Sequence, residues 1–180
     1  GARELPLALA LTSAFATALL PAVSGSLPEG LVALRRKSKA LYHLLFPLSI
    51  GLMLSSTWWF PRLFSEAFTP SVLVFNVFLL LVINRLVFPR TVLMALQDNG
   101  VLLWIALAEL AGNALLSYWL VGSLGLAGIA LGTVLAYSLG KAAMCWYLYR
   151  RHGIGVARYT DIRLLAGYSA LLLAAFLAVL

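Results

Sequence analysis

The sequence predicts an all-α, polytopic transmembrane helix bundle of about six spans. Three observations predict it. Of 180 residues, 63% are hydrophobic and 11% charged, against roughly 45–50% and 25% in soluble domains. The mean hydropathy is +0.99, too apolar for so few charged groups to cover in water. The apolar residues also fall into runs near the roughly 20 residues that a spanning helix needs. They lack the strict alternation of a membrane β-barrel, and lipid offers the backbone no hydrogen-bonding partner outside a helix or closed barrel. A soluble enzyme, a nucleic-acid binder, a disulfide scaffold and a disordered linker are excluded as the main reading.

The predicted spans follow in order. Leu5–Val23 is the first, closed by Pro21 and Ser24. Its small-residue end has the look of a signal-peptide cleavage site. However, Glu4 precedes the run, no Met begins it, and the basic cluster follows rather than leads, so a span cut from a longer chain is the expectation. The second span, Ala40–Phe60, begins after Arg35, Arg36, Lys37 and Lys39 and contains Pro47. Ser71–Leu96 is the third, interrupted by Asn76, Asn84, Arg85, Pro89 and Arg90. Proline removes a backbone donor and permits a kink. Gly100–Leu120 is the fourth, Leu124–Leu148 the fifth, and Leu164–Leu180 the last.

Basic residues gather in alternate links, the cytoplasmic bias of membrane proteins. Arg35–Lys39 lie in the first link, Arg90 near the third, and Arg150, Arg151, Arg158 and Arg163 in the fifth. The other links hold only Arg62 and Glu66, or no charge. The N-terminal end is therefore expected outside. Trp58, Trp59 and Trp119 fall at the outer edge, and Tyr42, Trp104, Trp146 and Tyr149 at the inner one.

Charges inside spans carry the functional argument, because each costs about 2.5–3.5 kcal/mol at mid-bilayer on insertion scales. Counted along straight helices, Arg85 lies about 16 Å and Glu109 about 14 Å from the inner ends of consecutive spans. An ion pair at matching depth is expected. It reads as a structural clasp between helices or as part of a polar cavity for an anionic or proton-coupled substrate, with unpartnered snorkelling of Arg85 as a third reading. Asn113 lies on the same helix face as Glu109, and Asn84 adjoins Arg85. Arg90 reads as an interfacial anchor and Lys141 as a snorkelling side chain. The fifth span carries Gly125, Gly128, Gly132, Ala136 and Gly140, a small-residue series expected to pack closely against another helix.

Catalysis finds no residue set. His43 and His152 have no ligand-spaced partners, so no metal site is expected. The single cysteine, Cys145, excludes an intrachain disulfide, and no phosphate-cradling glycine loop or nucleophile elbow occurs. The chain reads as no enzyme, with no cofactor beyond an ion or proton as coupling partner.

Three stretches carry a resemblance. Ala16-Thr17-Ala18-Leu19-Leu20-Pro21-Ala22-Val23-Ser24 ends a span before a basic link, and Ala95-Leu96-Gln97-Asp98-Asn99 joins two spans. Asn113 is followed by Gly125-Leu126-Ala127-Gly128-Ile129-Ala130-Leu131-Gly132-Thr133. In this order they resemble the C-terminal half of polysaccharide (oligosaccharide) flippases of the multidrug/oligosaccharidyl-lipid/polysaccharide exporter superfamily. The resemblance implies a fragment of a two-lobe transporter whose N-terminal half lies outside residues 1–180. It also implies alternating access, a bacterial inner-membrane location, and a lipid-linked oligosaccharide as partner in place of nucleic acid. Arg85 would then attract the anionic head group, with Glu109 as its partner or a proton site. A drug or metabolite antiporter of the same fold and a peptidoglycan-precursor flippase are the neighbouring readings. A membrane-embedded glycosyltransferase or acyltransferase and a structural subunit are readings of other classes.

Overall fold

The computed structural model describes residues 5–64 and 70–180. Glu66 lies outside them. The described residues form helices and turns only: α1 (Pro6–Gly25), α2 (Leu27–Phe64), α3 (Pro70–Leu79), α4 (Leu81–Arg85), α5 (Pro89–Ala95), α6 (Asn99–Leu124), α7 (Leu126–His152), a 3-10 turn (Val156–Arg158) and α8 (Ile162–Val179). α1, α2, α6, α7 and α8 are each long and apolar enough to cross a membrane, and the bent series α3–α5 is a sixth when its two parts are counted as one span. The chain is a multi-pass membrane protein in contact with lipid.

Two boundaries differ from the sequence expectation. Arg35–Lys39 do not form a loop. Only Ser26 separates α1 from α2, and the basic run is helical. α2 has 38 residues, about 57 Å at 1.5 Å per residue, so nearly half of its length exceeds the roughly 30 Å apolar layer. Apolar residues on the inner face of that extension explain the helix: Leu31 and Leu34 are buried. Gly30 makes the close crossing possible, because a Cβ there would strike the α1 backbone at Ala22 and Val23. The third expected span is broken. α2 continues through Pro47, whereas Pro89 stands at the first turn of α5, and the segments on either side of it meet at 41°.

Helix ends follow local chemistry. Asp161 caps α8, its carboxylate accepting from the Leu164 amide at 3.3 Å. α7 stops at Gly153, which takes φ +64° and turns Ile154 back into the core. α5 ends with left-handed Gln97 at φ +61°. There the Asp98 amide donates to Leu93 and that of Gln97 to Met94, both at 3.1 Å. This is the Schellman arrangement, which most often places glycine at the left-handed residue.

The interior is in two parts. One gathers Tyr42, Leu45, Phe46 and Met53 of α2, Leu79–Val82 and Leu86 of the third span, and Leu172 of α8. The other lies at the basic end, where Leu19 and Val23 meet Leu34, Phe88, Val92, Leu148, Ile154 and Tyr159. Burial holds the Tyr159 phenol well above its ordinary range, so it stays a donor, to Cys145 Sγ at 3.3 Å. α6 differs from the other spans. It has no buried residue, and it lies along α7 with its remaining apolar faces exposed, as suits a helix in lipid.

Candidate functional site

The break in the third span builds the site. Between α4 and α5 the residues Leu86–Phe88 leave the helix, so their carbonyls lack intrahelical partners in a medium without water. Two side chains from other helices supply them. The Tyr42 hydroxyl donates to the Leu86 carbonyl at 3.2 Å, and Lys141 Nζ donates to the Val87 carbonyl at 2.8 Å. Tyr42 lies one turn along α2 from Lys39, which meets Asp161 at 2.9 Å. The break therefore sits about 5 Å from that charged level. Arg85 is nearer the basic boundary than a count along one straight helix implies.

Beside the break lies a cavity of about 310 Å³ between α1, the α4–α5 junction and α7. Its cations are Arg85, Arg90 and Lys141. Across it, α1 presents Thr12, Ser13 and Thr17, and α5 adds Thr91. Ala16, Leu20, Phe88 and Met94 complete the wall, and no carboxylate lines it. Convergent cations between low-dielectric walls focus a positive potential, and hydroxyls supply neutral donors and acceptors. The Arg85 guanidinium also lies over the Tyr137 ring, 5.3 Å from its centroid, which limits its swing. Thr12 and Thr91 are buried, whereas Ser13, Thr17, Arg90 and Met94 are exposed, so the cavity opens sideways between α1 and α5. Such a space suits an anionic, oxygen-rich group entering from the side.

The other predicted residues serve helix contacts. Asn84 Nδ2 donates to Ser138 Oγ at 2.9 Å, tying α4 to α7. Asn113 Oδ1 accepts from Ser117 Oγ at 3.1 Å and from Thr133 Oγ1 at 3.2 Å, tying α6 to α7. Glu109 packs against Gly140, where a Cβ would strike its carboxylate. Glu109 and Asn113 therefore stand on the α6 side of α7, outside the cavity wall. Gly128 and Gly132 face the α6 backbone at Leu120 and Ser117. Gly125 does something else: at φ +58° it makes the α6–α7 turn, with open space around it.

Arg90 and Lys141, taken from the sequence as an anchor and a snorkelling group, both line the cavity. The hydroxyls of α1 were missed altogether. Their signal is the spacing Thr12/Ser13, Ala16/Thr17, Leu20, which puts small and hydroxyl side chains on one helical face. The two histidines are engaged elsewhere, His43 Nδ1 with the Tyr168 hydroxyl at 2.8 Å and His152 Nε2 with Asp98 at 2.6 Å. Among the described residues, no three His, Cys, Asp or Glu side chains gather as metal ligands. Comparison with protein families, curated proteins and solved structures gives no match, so the chemistry of the cavity itself carries the functional reading.

Proposed function

We propose that the chain is the C-terminal transmembrane part of a flippase that exports a lipid-linked oligosaccharide across a bacterial inner membrane by alternating access, without covalent chemistry. The observation that carries this reading is the side-opening cavity of Arg85, Arg90 and Lys141 at a broken span. A lipid-linked sugar phosphate has an anionic head joined to a chain that stays in the bilayer, and a lateral opening admits both at once. Discontinuous helices near charged cavities recur in transporters, because only there is irregular backbone tolerated at membrane depth. The basic end, with Arg35–Lys39 and Arg150–Arg163, faces the cytoplasm in this reading.

Arg90 gives the cleanest test, since its side chain is exposed and its loss leaves the break's hydrogen bonds intact. With the full-length protein in vesicles, Arg90→Gln should lower flipping of lipid-linked oligosaccharide by about tenfold or more, the weight of one charge-assisted contact. The amount of folded, inserted protein should stay the same. Wild-type flipping rates in Arg90→Gln, or in Arg85→Leu/Glu109→Leu, would remove the cavity from the transport path. Accumulation of a soluble organic anion or drug in place of the lipid would move the reading to an antiporter.

A further inference from the structure

α1 turns a face of small side chains outward. It packs on α2, α4 and α5, and its other side carries Ala10, Ala14, Ala18 and Ala22 at four-residue spacing, all exposed, with Ser13 and Thr17 beside them. Between Ala10 and Gly25 no exposed residue is larger than threonine. α6 is the opposite case. Leu103, Trp104, Leu110 and Trp119 stand out from it, bulky groups that suit lipid tails. A row of small side chains instead lets a second helix backbone come close, and hydroxyls beside it bond across such a seam.

The cavity beside the row says what such a helix carries. Ser13 and Thr17 border both the row and the cavity. On the facing wall Thr91 is 3% exposed, and its hydroxyl lines the cavity with no hydrogen-bond partner among the described residues. Arg90, next in the chain, is exposed and forms no ion pair among the described residues. No carboxylate lines the cavity, and charged groups in spans are met by a partner. A guanidinium and an unpartnered hydroxyl side by side suit a negatively charged acceptor. A second copy of this chain would bring the same cations to the same mouth, where like charges repel. We infer that a membrane-spanning helix from the rest of the transporter packs along the alanine row of α1 and turns an aspartate or glutamate toward Arg90 and Thr91. This rests on the reading of the chain as one part of a larger transporter. An anionic head group entering the cavity competes with that carboxylate for Arg90, so the carboxylate balances the charge while the cavity is empty.

The test uses the full-length protein in phospholipid vesicles. A photoreactive diazirine analogue of leucine replaces Ala10 or Ala22, the two ends of the row, so that its centre stays clear, and replaces Leu110 of α6 as reference. After illumination the adducts are identified by mass spectrometry. Leu110 should give lipid adducts. Ala10 and Ala22 should both give adducts to one other span of the same protein, with an aspartate or glutamate inside its apolar run. Arg90→Glu should lower that yield by about tenfold, the weight of one charge-assisted contact, and leave the Leu110 adducts unchanged. Exchanging the partner carboxylate for lysine in the Arg90→Glu protein should restore the yield. Lipid adducts at Ala10 and Ala22 as abundant as at Leu110 would overturn the inference. So would adducts to α1 of a second copy, or to a span without a carboxylate. A yield that ignores Arg90→Glu, or a loss that the exchange does not restore, would equally overturn it. Flipping by the same variants is a separate readout: lost transport with the adducts intact would count against the cavity as a path and leave the helix in its seat.

Discussion

Gly132 offers the sharpest test of how α6 is held, because α6 buries no residue of its own and depends on close approach to α7. A Cβ at Gly132 would lie 2.8 Å from the Ser117 amide nitrogen, 2.8 Å from its Oγ and 3.0 Å from its Cα. The nitrogen and Cα are backbone atoms of the facing helix, so a rotamer change cannot relieve those two contacts. Gly132→Ala must push the two helices apart by several tenths of an ångström. Overpacking of this kind costs about 1–3 kcal/mol. Ser117 Oγ also donates to Asn113 Oδ1 at 3.1 Å, so the displacement strains that bond as well. Gly112, on α6, has nothing within 4 Å of where a Cβ would stand. Gly112→Ala should therefore be neutral or stabilising, by up to about 1 kcal/mol from helix propensity. Thermal unfolding in detergent should show Tm lowered by about 3–10 °C for Gly132→Ala and unchanged or raised for Gly112→Ala. Equal Tm values in the two variants would refute the close-packed α6–α7 seam.

Lys141→Met should destabilise by about 1–3 kcal/mol, because it leaves the Val87 carbonyl unpaired in a span, whereas Lys141→Gln should recover part of the loss; chemical unfolding in mixed micelles separates them. Gln97→Gly should raise Tm, since glycine relieves a left-handed residue that costs roughly 1 kcal/mol for an L side chain; a lower Tm would mean that the Gln97 side chain anchors the turn. Asp161 is held below the usual carboxylate range by its hydrogen bond with Lys39 and then by the Leu164 amide. Its contribution is therefore present above about pH 4 and is lost as pH falls through its lowered folded value. Asp161→Ala should lower Tm at neutral pH, and the difference from wild type should shrink in acid. A difference constant with pH would remove the ionised cap.

The class of protein and the position of most spans were determined by the sequence alone. A long apolar run in lipid has one economical conformation, so Leu5–Val23, Gly100–Leu120 and Leu124–Leu148 needed no tertiary information to read as helices. Proline permits a kink at Pro47 and Pro89 alike, yet α2 continues through Pro47 and only the span at Pro89 is broken, so the sequence did not say which of the two would part. Two more things depended on neighbours. Arg35–Lys39 looked like a loop because they are charged, and Leu31, Leu34 and Gly30 made them part of a helix by packing on α1 and the α7–α8 connection. The cations were read one at a time because sequence distance says nothing about which faces meet. Arg85 and Arg90 lie on either side of a break that re-aims the chain by 41°, and Lys141 reaches them from a helix far along the sequence. The hydroxyls of α1 acquire meaning only opposite those charges. Periodicity reports what one helix offers to its surroundings; the azimuth and depth at which helices pack decide which offers are brought together.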